Sequence, residues 1–417
     1  MKVKKRWGVL LAPLLGFALI ASACGDSSEP TSTPAGNATT TTPVATVPPT
    51  TGTAAVATVA GCEKRGYSDP SNLSDNRVVA RCDVGAPAPK PLPKKADGTN
   101  EKVVLASNFK LEFNSPIGLG MALGEFAKEN LDIEYQVLSF ANAVPQMATG
   151  QVDVAVGGIE TALFGAGNQN LPVKVALGNY FPPKASNYSV PQTGLWCRRE
   201  IFTTPATPNL KELETKKWAT SVGRGSSAMY YSVAEILKKV PTFNYKAVEV
   251  QAIPSNDILA AVKSKNVDCG ILLDPIWVQV KDDPTFVQVA TQTPGEPLGI
   301  YAYGKRLLQD RKDIGDAFAR AYIRTINTYY QGDYHKDPKV MAEIQKFTGQ
   351  TDAVFQPLAA LDSLTMDWEM RKDTTTRVQQ LFIDVGVKEM AGITTPVPED
   401  KIVDRSYYQR AVGAIVK

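Results

Sequence analysis

The stretch Gly150-Gln-Val-Asp-Val-Ala-Val-Gly-Gly-Ile-Glu160-Thr161 predicts how the rest of the chain is folded. Its core, Val152 to Val156, is a short and mostly apolar β-branched run, which is typical of a strand covered on both faces. Gly157 and Gly158 then allow the backbone to turn sharply and to approach a ligand closely at the strand's carboxyl end. Because a helix that follows would direct its free N–H groups to the same point, the stretch predicts a ligand-binding edge of an open α/β sheet.

A similar unit recurs at Asn266-Val-Asp-Cys-Gly-Ile-Leu-Leu-Asp274-Pro275, and two such edges facing each other would enclose a cleft. The alternative is that both are ordinary buried strands without a site. Strand and helix signals alternate around these units, and short connections favour parallel, doubly wound sheets. We predict strands at 103–107, 131–138, 152–156, 173–177, 218–222, 247–252 and 267–273, and helices from 115 and over 141–149, 229–240, 255–263 and 317–330.

The bulk composition is that of a globular protein with room for two or three domains in its 417 residues. The formal net charge is +3, but four basic residues lie within the first six positions, so the remainder is close to neutral. Nothing in this charge pattern indicates a nucleic-acid partner. Beyond the N-terminus, no apolar stretch is long enough to cross a bilayer.

Residues 1–23 have a basic start, an apolar run over 7–20 and small residues before Cys24, which predicts a secretory signal peptide. The end of this segment resembles the bacterial lipobox, although Ala21 stands where leucine is usual. The resemblance implies that Cys24 is lipidated and anchors the protein to the outer face of the bacterial cell membrane. An uncleaved membrane anchor is the alternative.

Residues 24–100 are expected to form a tether, because Thr, Pro, Ala, Ser and Gly dominate up to about residue 60 and bury too little surface to offset chain entropy. Four cysteines besides Cys24 favour disulfides in an exported chain. We favour Cys62–Cys82, which closes a short loop, and this leaves Cys197 and Cys269 as the other pair. Their spacing and the single histidine argue against a metal site.

Several segments in order resemble the extracytoplasmic solute-binding proteins of ABC importers, most of all the nitrate-, sulfonate-, taurine- and thiamine-precursor-binding group. The resembling segments are 129–134, Met147-Ala-Thr-Gly-Gln-Val-Asp-Val-Ala-Val-Gly-Gly158, 169–175, Gly225-Ser-Ser-Ala-Met-Tyr-Tyr231 and 258–268. One departure is Leu273-Asp274-Pro275-Ile-Trp277, where the family often has Trp-Glu-Pro.

This resemblance implies an α/β, two-lobed type II periplasmic-binding-protein fold whose doubly wound sheets are joined by two hinge segments. Lobe 1 would comprise residues 101–197 plus 298–417, and lobe 2 residues 198–297, with hinges near 195–197 and 298–301. Such proteins bind a small molecule, need no cofactor or catalytic group, and deliver the ligand to ABC permease and ATPase subunits. We expect a monomer.

The ligand is expected at strand ends and helix starts. Ser226 and Ser227 open a helix and suit an anion or polar head group, and Arg224 would add positive charge. Simple capping is the alternative for both serines, and a solvated loop position for Arg224. The remaining candidates end strands, follow the glycine turn or supply aromatic rings, and they are Ser107, Asn108, Phe109, Phe140, Gly158, Glu160, Thr161, Tyr180, Asp274, Trp277 and Tyr301.

The two carboxylates Glu160 and Asp274 would decide the ligand class if both faced the cleft. They would then favour an amine or an N–H-bearing heterocycle, such as a thiamine pyrimidine or a flavin, over nitrate or a sulfonate. The alternative is that each caps its own helix or turn. His335 lies in a polar loop, where we expect it to be exposed.

Two other functions compete with the receptor. One is an enzyme on the same fold, such as a pyrimidine synthase of the thiamine-precursor group, which would need a cysteine cluster and a histidine. The other is a sensory lipoprotein that has lost transport.

Overall fold

Two five-stranded mixed sheets organise the protein, which is represented by a computed structural model. The structure describes residues 86–181, 193–293, 296–330, 332–356, 358, 360–361, 370 and 373–412, all within one compact unit of the chain. The predicted signal peptide, Cys24 and the Cys62–Cys82 pair lie outside the described residues.

The strands, in chain order, are β1 (Glu101–Ala106), β2 (Leu131–Gln136), β3 (Val154–Gly158), β4 (Lys174–Asn179), β5 (Gly194–Arg198), β6 (Lys217–Thr220), β7 (Glu249–Ala252), β8 (Cys269–Leu272), β9 (Phe286–Thr291) and β10 (Gly299–Tyr303). The helices are α1 (Ser115–Ala122), α2 (Phe140–Thr149), α3 (Thr161–Asn168), α4 (Ser227–Lys239), α5 (Ser255–Lys263), α6 (Lys312–Tyr329), α7 (Pro338–Thr348), α8 (Asp352–Phe355), α9 (Thr374–Asp384) and α10 (Ser406–Val412). The predicted strands and helices are confirmed, with boundaries moved by a few residues.

The two sheets share one topology. The first has the order β2-β1-β3-β10-β4 and the second the order β7-β6-β8-β5-β9. In the first sheet β1 is parallel to β2 and β3, whereas β10 is antiparallel to both of its neighbours. In the second sheet β6 is parallel to β7 and β8, whereas β5 is antiparallel to both of its neighbours. The sheets are therefore mixed, whereas the sequence pattern favoured parallel sheets.

The antiparallel strand of each sheet is the first strand after the chain crosses between sheets. The chain leaves the first sheet after β4 and enters the second at β5, and it leaves the second after β9 and returns at β10. We call the body around the first sheet lobe 1 and the body around the second sheet lobe 2. Because β5 lies in the second sheet, residues 194–197 belong with lobe 2, and the first crossing lies between Asn179 and Gly194.

The core of lobe 1 joins the first sheet to α6. Residues 154–156 of β3 are buried, as their apolar character predicts for a central strand. The ring of Tyr301 on β10 contacts Tyr322 and Phe318 of α6, at 4.5 and 6.3 Å between ring centroids. Burial of each such ring stabilises the fold by roughly 1.5–3 kcal/mol.

A disulfide joins Cys197 on β5 to Cys269 on β8, where the two residues are direct partners in the ladder. The predicted pairing of these two cysteines is confirmed. Within the described ranges, no helix combines the length and hydropathy that a membrane span requires.

Candidate functional site

A small cavity lies between the two lobes at the carboxyl ends of β3, β6 and β8. Its volume is about 40 Å³, which is space for a few water molecules. The residues that line it are Phe109, Phe113, Val156, Gly157, Gly158, Thr220, Ser221, Val222, Ser226, Ser227, Ala228, Ser255, Ile271, Leu273, Leu298 and Gly299. None of these carries a charged side chain, so hydroxyl groups and backbone N–H groups supply the polar part of the lining.

In the glycine pair of lobe 1, Gly158 allows the two lobes to approach each other and Gly157 allows close packing within lobe 1. A Cβ atom on Gly158 would lie 2.7 Å from Oγ of Ser227 in lobe 2. A Cβ atom on Gly157 would lie 2.6 Å from the Phe140 ring, which packs beneath it. Real Cβ atoms do not approach so closely, so a side chain at Gly158 would push the lobes apart, whereas one at Gly157 would displace Phe140 within lobe 1.

Lobe 2 directs the N-terminus of α4 at the cavity. Ser226 is its N-cap, and its Oγ accepts a hydrogen bond from the Met229 N–H at 3.4 Å. Oγ of Ser227 donates to the carbonyl of Leu298 at 2.7 Å, across to the returning crossing. The N–H groups of Ser227 and Ala228 make no hydrogen bond to any described residue. These two donors, at the positive end of a 13-residue helix, are available to a ligand.

A second helix, α5, begins at the same cavity with Ser255. Its Oγ is inaccessible to solvent and has no hydrogen-bond partner among the described residues. A hydroxyl left in this state costs about 1–3 kcal/mol, which a ligand that accepts a hydrogen bond would recover.

A hydrogen bond also joins the lobes beside the cavity. The N–H of Thr161, the first residue of α3, donates to the carbonyl of Gly225 at 3.1 Å. The Thr161 side chain packs against Gly225, where a Cβ would lie only 2.3 Å from its Cγ2 atom. Thr161 therefore contacts lobe 2 and does not line the cavity.

The two predicted carboxylates do not line the cavity either. Glu160 is 2% exposed, and its carboxyl group forms no hydrogen bond or ion pair with any described residue. Burial alone raises the pKa of its carboxyl to about 8, so the group is mostly protonated and neutral at pH 7. Asp274 is fully buried, and its carboxylate accepts hydrogen bonds from the Tyr180 hydroxyl and the Trp277 indole N–H, with the Thr193 hydroxyl at 3.4 Å.

The sequence pattern favoured an amine ligand only if both carboxylates faced the cleft. Because neither lines the cavity, the structure does not support that preference. Asp274 instead ties lobe 2 to Tyr180 at the first crossing. Glu160 contributes no full charge next to the cavity at neutral pH. An anionic ligand would therefore meet no ionised carboxylate in the lining.

Four predicted residues line the cavity, namely Phe109, Gly158, Ser226 and Ser227. The other predicted residues lie elsewhere, and they are Ser107, Asn108, Phe140, Glu160, Thr161, Tyr180, Asp274, Trp277 and Tyr301. Tyr301 packs in the core of lobe 1, and Trp277 stacks on Trp196 in lobe 2 at 6.4 Å between centroids. Arg224 points away from the cavity, because its guanidinium donates to the Tyr245 carbonyl at 2.9 Å.

Sequence reasoning missed several lining residues. Thr220, Ser221 and Ser255 end a predicted strand or start a predicted helix, so the rule that singled out Ser226 would have found them. Phe113 and Leu298 had no such signal, because they reach the cavity only through the packing of distant segments.

His335 is not exposed as predicted, and its side chain is only 9% accessible. Its Nε2 atom lies 2.5 Å from Oε1 of the buried Glu112, and its Nδ1 atom lies 3.3 Å from the Leu358 carbonyl. The histidine is thus part of the lobe 1 interior and does not line the cavity. No cluster of three or more potential metal ligands occurs in the part of the chain that the structure describes.

Two mixed α/β lobes, joined by two crossings and separated by a cavity, define the type II periplasmic-binding-protein fold. Solved structures with this fold include the alkanesulfonate-binding protein SsuA from Xanthomonas axonopodis pv. citri bound to MOPS, with 12% identity, a TM-score of 0.53 and coverage of 73% of this chain and 98% of that one.

Two further structures agree. The periplasmic aliphatic sulphonate binding protein SsuA from Escherichia coli has 14% identity, a TM-score of 0.50 and coverage of 76% of this chain and 100% of that one. The periplasmic nitrate-binding protein NrtA from Synechocystis PCC 6803 has 13% identity, a TM-score of 0.52 and coverage of 76% and 88%. At these identities the likeness establishes the fold alone, which confirms the fold predicted from the sequence. No protein-family model and no curated protein matches the sequence.

Proposed function

We propose that this protein is the extracytoplasmic solute-binding component of an ABC importer, anchored to the outer face of the cell membrane through lipidated Cys24. It binds a small molecule between its two lobes and delivers it to permease and ATPase subunits. The observation that carries this proposal is the convergence of two helix N-termini on one cavity. The N–H groups of Ser227 and Ala228 and the hydroxyl of Ser255 have no partner there among the described residues.

The donors favour a ligand whose head group accepts several hydrogen bonds, such as nitrate, a sulfonate or taurine. Helix N-termini attract negative charge, and the lining carries no charged side chain that would oppose it. The cavity of about 40 Å³ is too small for an organic sulfonate, so the lobes must separate to admit one. A thiamine pyrimidine or a flavin would require a larger separation and a stacking platform.

We further propose that the protein is not an enzyme. The only histidine, His335, hydrogen-bonds Glu112 inside lobe 1, and the two described cysteines form a disulfide. The groups that a pyrimidine synthase would use are thus engaged elsewhere in the described part of the chain.

Thermal unfolding in the presence of nitrate, methanesulfonate, taurine, MOPS, a thiamine pyrimidine and riboflavin tests the proposal. A ligand present at 100 times its Kd stabilises the folded state by about 2.7 kcal/mol and raises Tm accordingly. We expect a shift with one of the oxyanions, and calorimetry then gives its Kd. A panel in which only the two ring compounds shift Tm would contradict the ligand class.

The variant Ser255→Ala tests the site itself, because it removes a hydroxyl without a described partner from a residue that lines the cavity. We expect Kd to rise about tenfold, as for loss of a hydrogen bond of about 1.4 kcal/mol. The matched control is Ser264→Ala at the other end of α5, whose exposed hydroxyl donates to the Ala261 carbonyl at 3.2 Å. If both variants bind equally well, the ligand does not contact Ser255.

A further inference from the structure

Lobe 1 has a second concave surface outside the interlobe cavity, which we call the lobe 1 groove. It lies where α1, α7 and the end of β2 meet, and its volume is about 520 Å³. The rings of Tyr135 and Phe347 form its floor and pack edge to face, with centroids 5.9 Å apart. A Cβ atom on Gly118 would lie 2.3 Å from the Phe347 ring, so the glycine allows this ring to lie against α1. The floor is therefore built from closely packed groups.

The walls of the groove hold two exposed apolar side chains. Within the described ranges, the large hydrophobic residues that stay exposed are Met121 and Val137, with 38% and 73% of their surface accessible. Both line this groove. Apolar residues that cluster at one concave surface typically mark a contact with another molecule.

The rim of the groove is positively charged. Lys110 lies over the Tyr135 ring, with Nζ 5.8 Å from its centre, and forms no ion pair with any described residue. Lys346 is 78% exposed and lies 3.7 Å from the carboxylate of Glu343, its only partner among the described residues. Two ammonium groups and one carboxylate leave a positive excess, which favours an occupant carrying a carboxylate.

The groove is connected to the interlobe cavity by one short segment. The Tyr135 hydroxyl on the groove floor donates to the carbonyl of Phe109 at 3.1 Å. Phe109 lines the cavity, and the next residue, Lys110, lines the groove. A molecule in the groove therefore lies beside the rim of the cavity and contacts the same loop as a bound ligand.

We propose that the lobe 1 groove is the docking site for the importer's membrane permease, which inserts a large apolar side chain between Met121 and Val137 and places a carboxylate between Lys110 and Lys346. This inference rests on the proposed function, because that function supplies the permease. The Phe109-Lys110 segment gives the permease direct contact with the loop that borders the ligand.

The experiment uses the full-length protein in the cells that produce it. A photo-crosslinking residue, p-benzoylphenylalanine, replaces Val137, and in a control protein it replaces Asp282, an 83% exposed residue of lobe 2. Mass spectrometry identifies the crosslinked protein. We expect a multi-span membrane permease from the Val137 position and at least fivefold less of it from the Asp282 position.

The charged rim is tested in the same crosslinking protein. Lys110→Glu with Lys346→Glu is expected to lower the permease crosslink at least fivefold. The control pair Lys263→Glu with Lys388→Glu changes two exposed lysines elsewhere and is expected to leave the yield unchanged. Thermal unfolding of each variant establishes that it is folded.

Three results would overturn the docking site, namely a crosslink only to a second copy of this chain or to a soluble protein, no crosslink above the control position, or a yield that the rim variants do not change. Failure of the ligand panel is a separate result. A permease crosslink without any thermal shift would contradict the ligand class and support the docking site. A thermal shift without the crosslink would support the ligand class and contradict the docking site.

Discussion

Arg377 on α9 donates a hydrogen bond from Nη2 to Oε1 of Glu296, at 2.6 Å, and so ties this helix to the segment that returns the chain from lobe 2 to lobe 1. The next turns of α9 reach both lobes. The Phe382 ring lies 6.4 Å from Phe164 in lobe 1 and 6.4 Å from Tyr230 in lobe 2, between centroids. Separation of the lobes must therefore disturb contacts of α9.

We expect Arg377→Ala to favour separation of the lobes. Glu296 is only 3% exposed, so the variant removes a charged donor from a poorly solvated carboxylate that keeps its hydrogen bond from the Thr374 hydroxyl, although Arg377 itself is one-third accessible. A cost of about 1–2 kcal/mol changes the ratio of closed to open protein roughly 5- to 30-fold. Hydrogen exchange at the Thr161 N–H reports opening, because this group donates to Gly225 across the cleft, and its rate should rise by the same factor.

Arg410→Ala is the matched control. Arg410 pairs with Asp316 at 2.7 Å, and both residues lie on helices that pack together in lobe 1. Its loss should leave exchange at Thr161 unchanged. Equal exchange in both variants would mean that α9 does not restrain the lobes.

Glu160→Gln should change how stability depends on pH. The carboxyl has a pKa of about 8 in the folded protein against 4.5 in a solvated chain, because it is buried. Between these values the folded state keeps a proton that the unfolded state releases, so the stability of the wild-type protein falls as pH rises from 4.5 to 8. Gln cannot ionise, and the variant should lack this fall.

The expected difference in unfolding free energy is close to zero near pH 4.5 and grows in favour of the variant to at most about 5 kcal/mol at pH 8 and above, at 1.36 kcal/mol per pKa unit. Urea unfolding at half-unit pH steps measures it. Glu249→Gln, at an exposed carboxylate on β7, should show no such trend. A constant offset at every pH would mean that Glu160 is ionised in the folded protein.

Local sequence signals were sufficient for most elements and for part of the site. The predicted helix over 255–263 is confirmed as α5, because its start residue and its apolar spacing lie within nine neighbouring positions. The same kind of signal identified Ser226, Ser227 and Gly158, all of which line the cavity. Each of these residues acts through the backbone geometry of its own strand end or helix start.

Properties that depend on distant segments could not be predicted in this way. The direction of β5 and β10 depends on which strand each one meets after crossing between lobes, and the apolar pattern of a strand is the same in either direction. Asp274 follows a buried strand as predicted, but its carboxylate accepts a hydrogen bond from Tyr180, almost a hundred positions earlier in the chain. The sequence places both residues near strand ends and does not indicate that they face each other.

His335→Gln should destabilise the protein more in mild acid than in mild alkali. Burial lowers the pKa of His335, but the hydrogen bond and the charge of Glu112 raise it by more than burial lowers it. The folded-state pKa therefore lies above 6.5. Stabilisation by the protonated ring is therefore fully present below pH 6.5 and is lost as pH rises through the folded-state pKa. The buried Glu112 carboxylate loses its charged partner in the variant.

Urea midpoints at pH 5.5 and pH 8.5 test this expectation. We expect the variant to lose about 1–3 kcal/mol at the lower pH and clearly less at the higher pH. Lys336→Gln is the control, because this neighbouring residue is exposed and pairs only at the surface with Asp333 at 3.0 Å. A larger loss at pH 8.5 than at pH 5.5 would contradict a protonated His335.

The double variant Cys197→Ala, Cys269→Ala should lower global stability without weakening ligand binding. The disulfide closes a loop with a sequence separation of 72 residues, and cross-links of this span typically contribute 2–4 kcal/mol by limiting the unfolded chain. Both cysteines are buried on β5 and β8, and neither lines the cavity. Urea unfolding with and without dithiothreitol measures the effect, and in the presence of the reductant the variant should match the wild-type protein. A tenfold weaker Kd for the ligand in the folded variant would mean instead that the bond between these central strands positions the ends of β8 at the cavity.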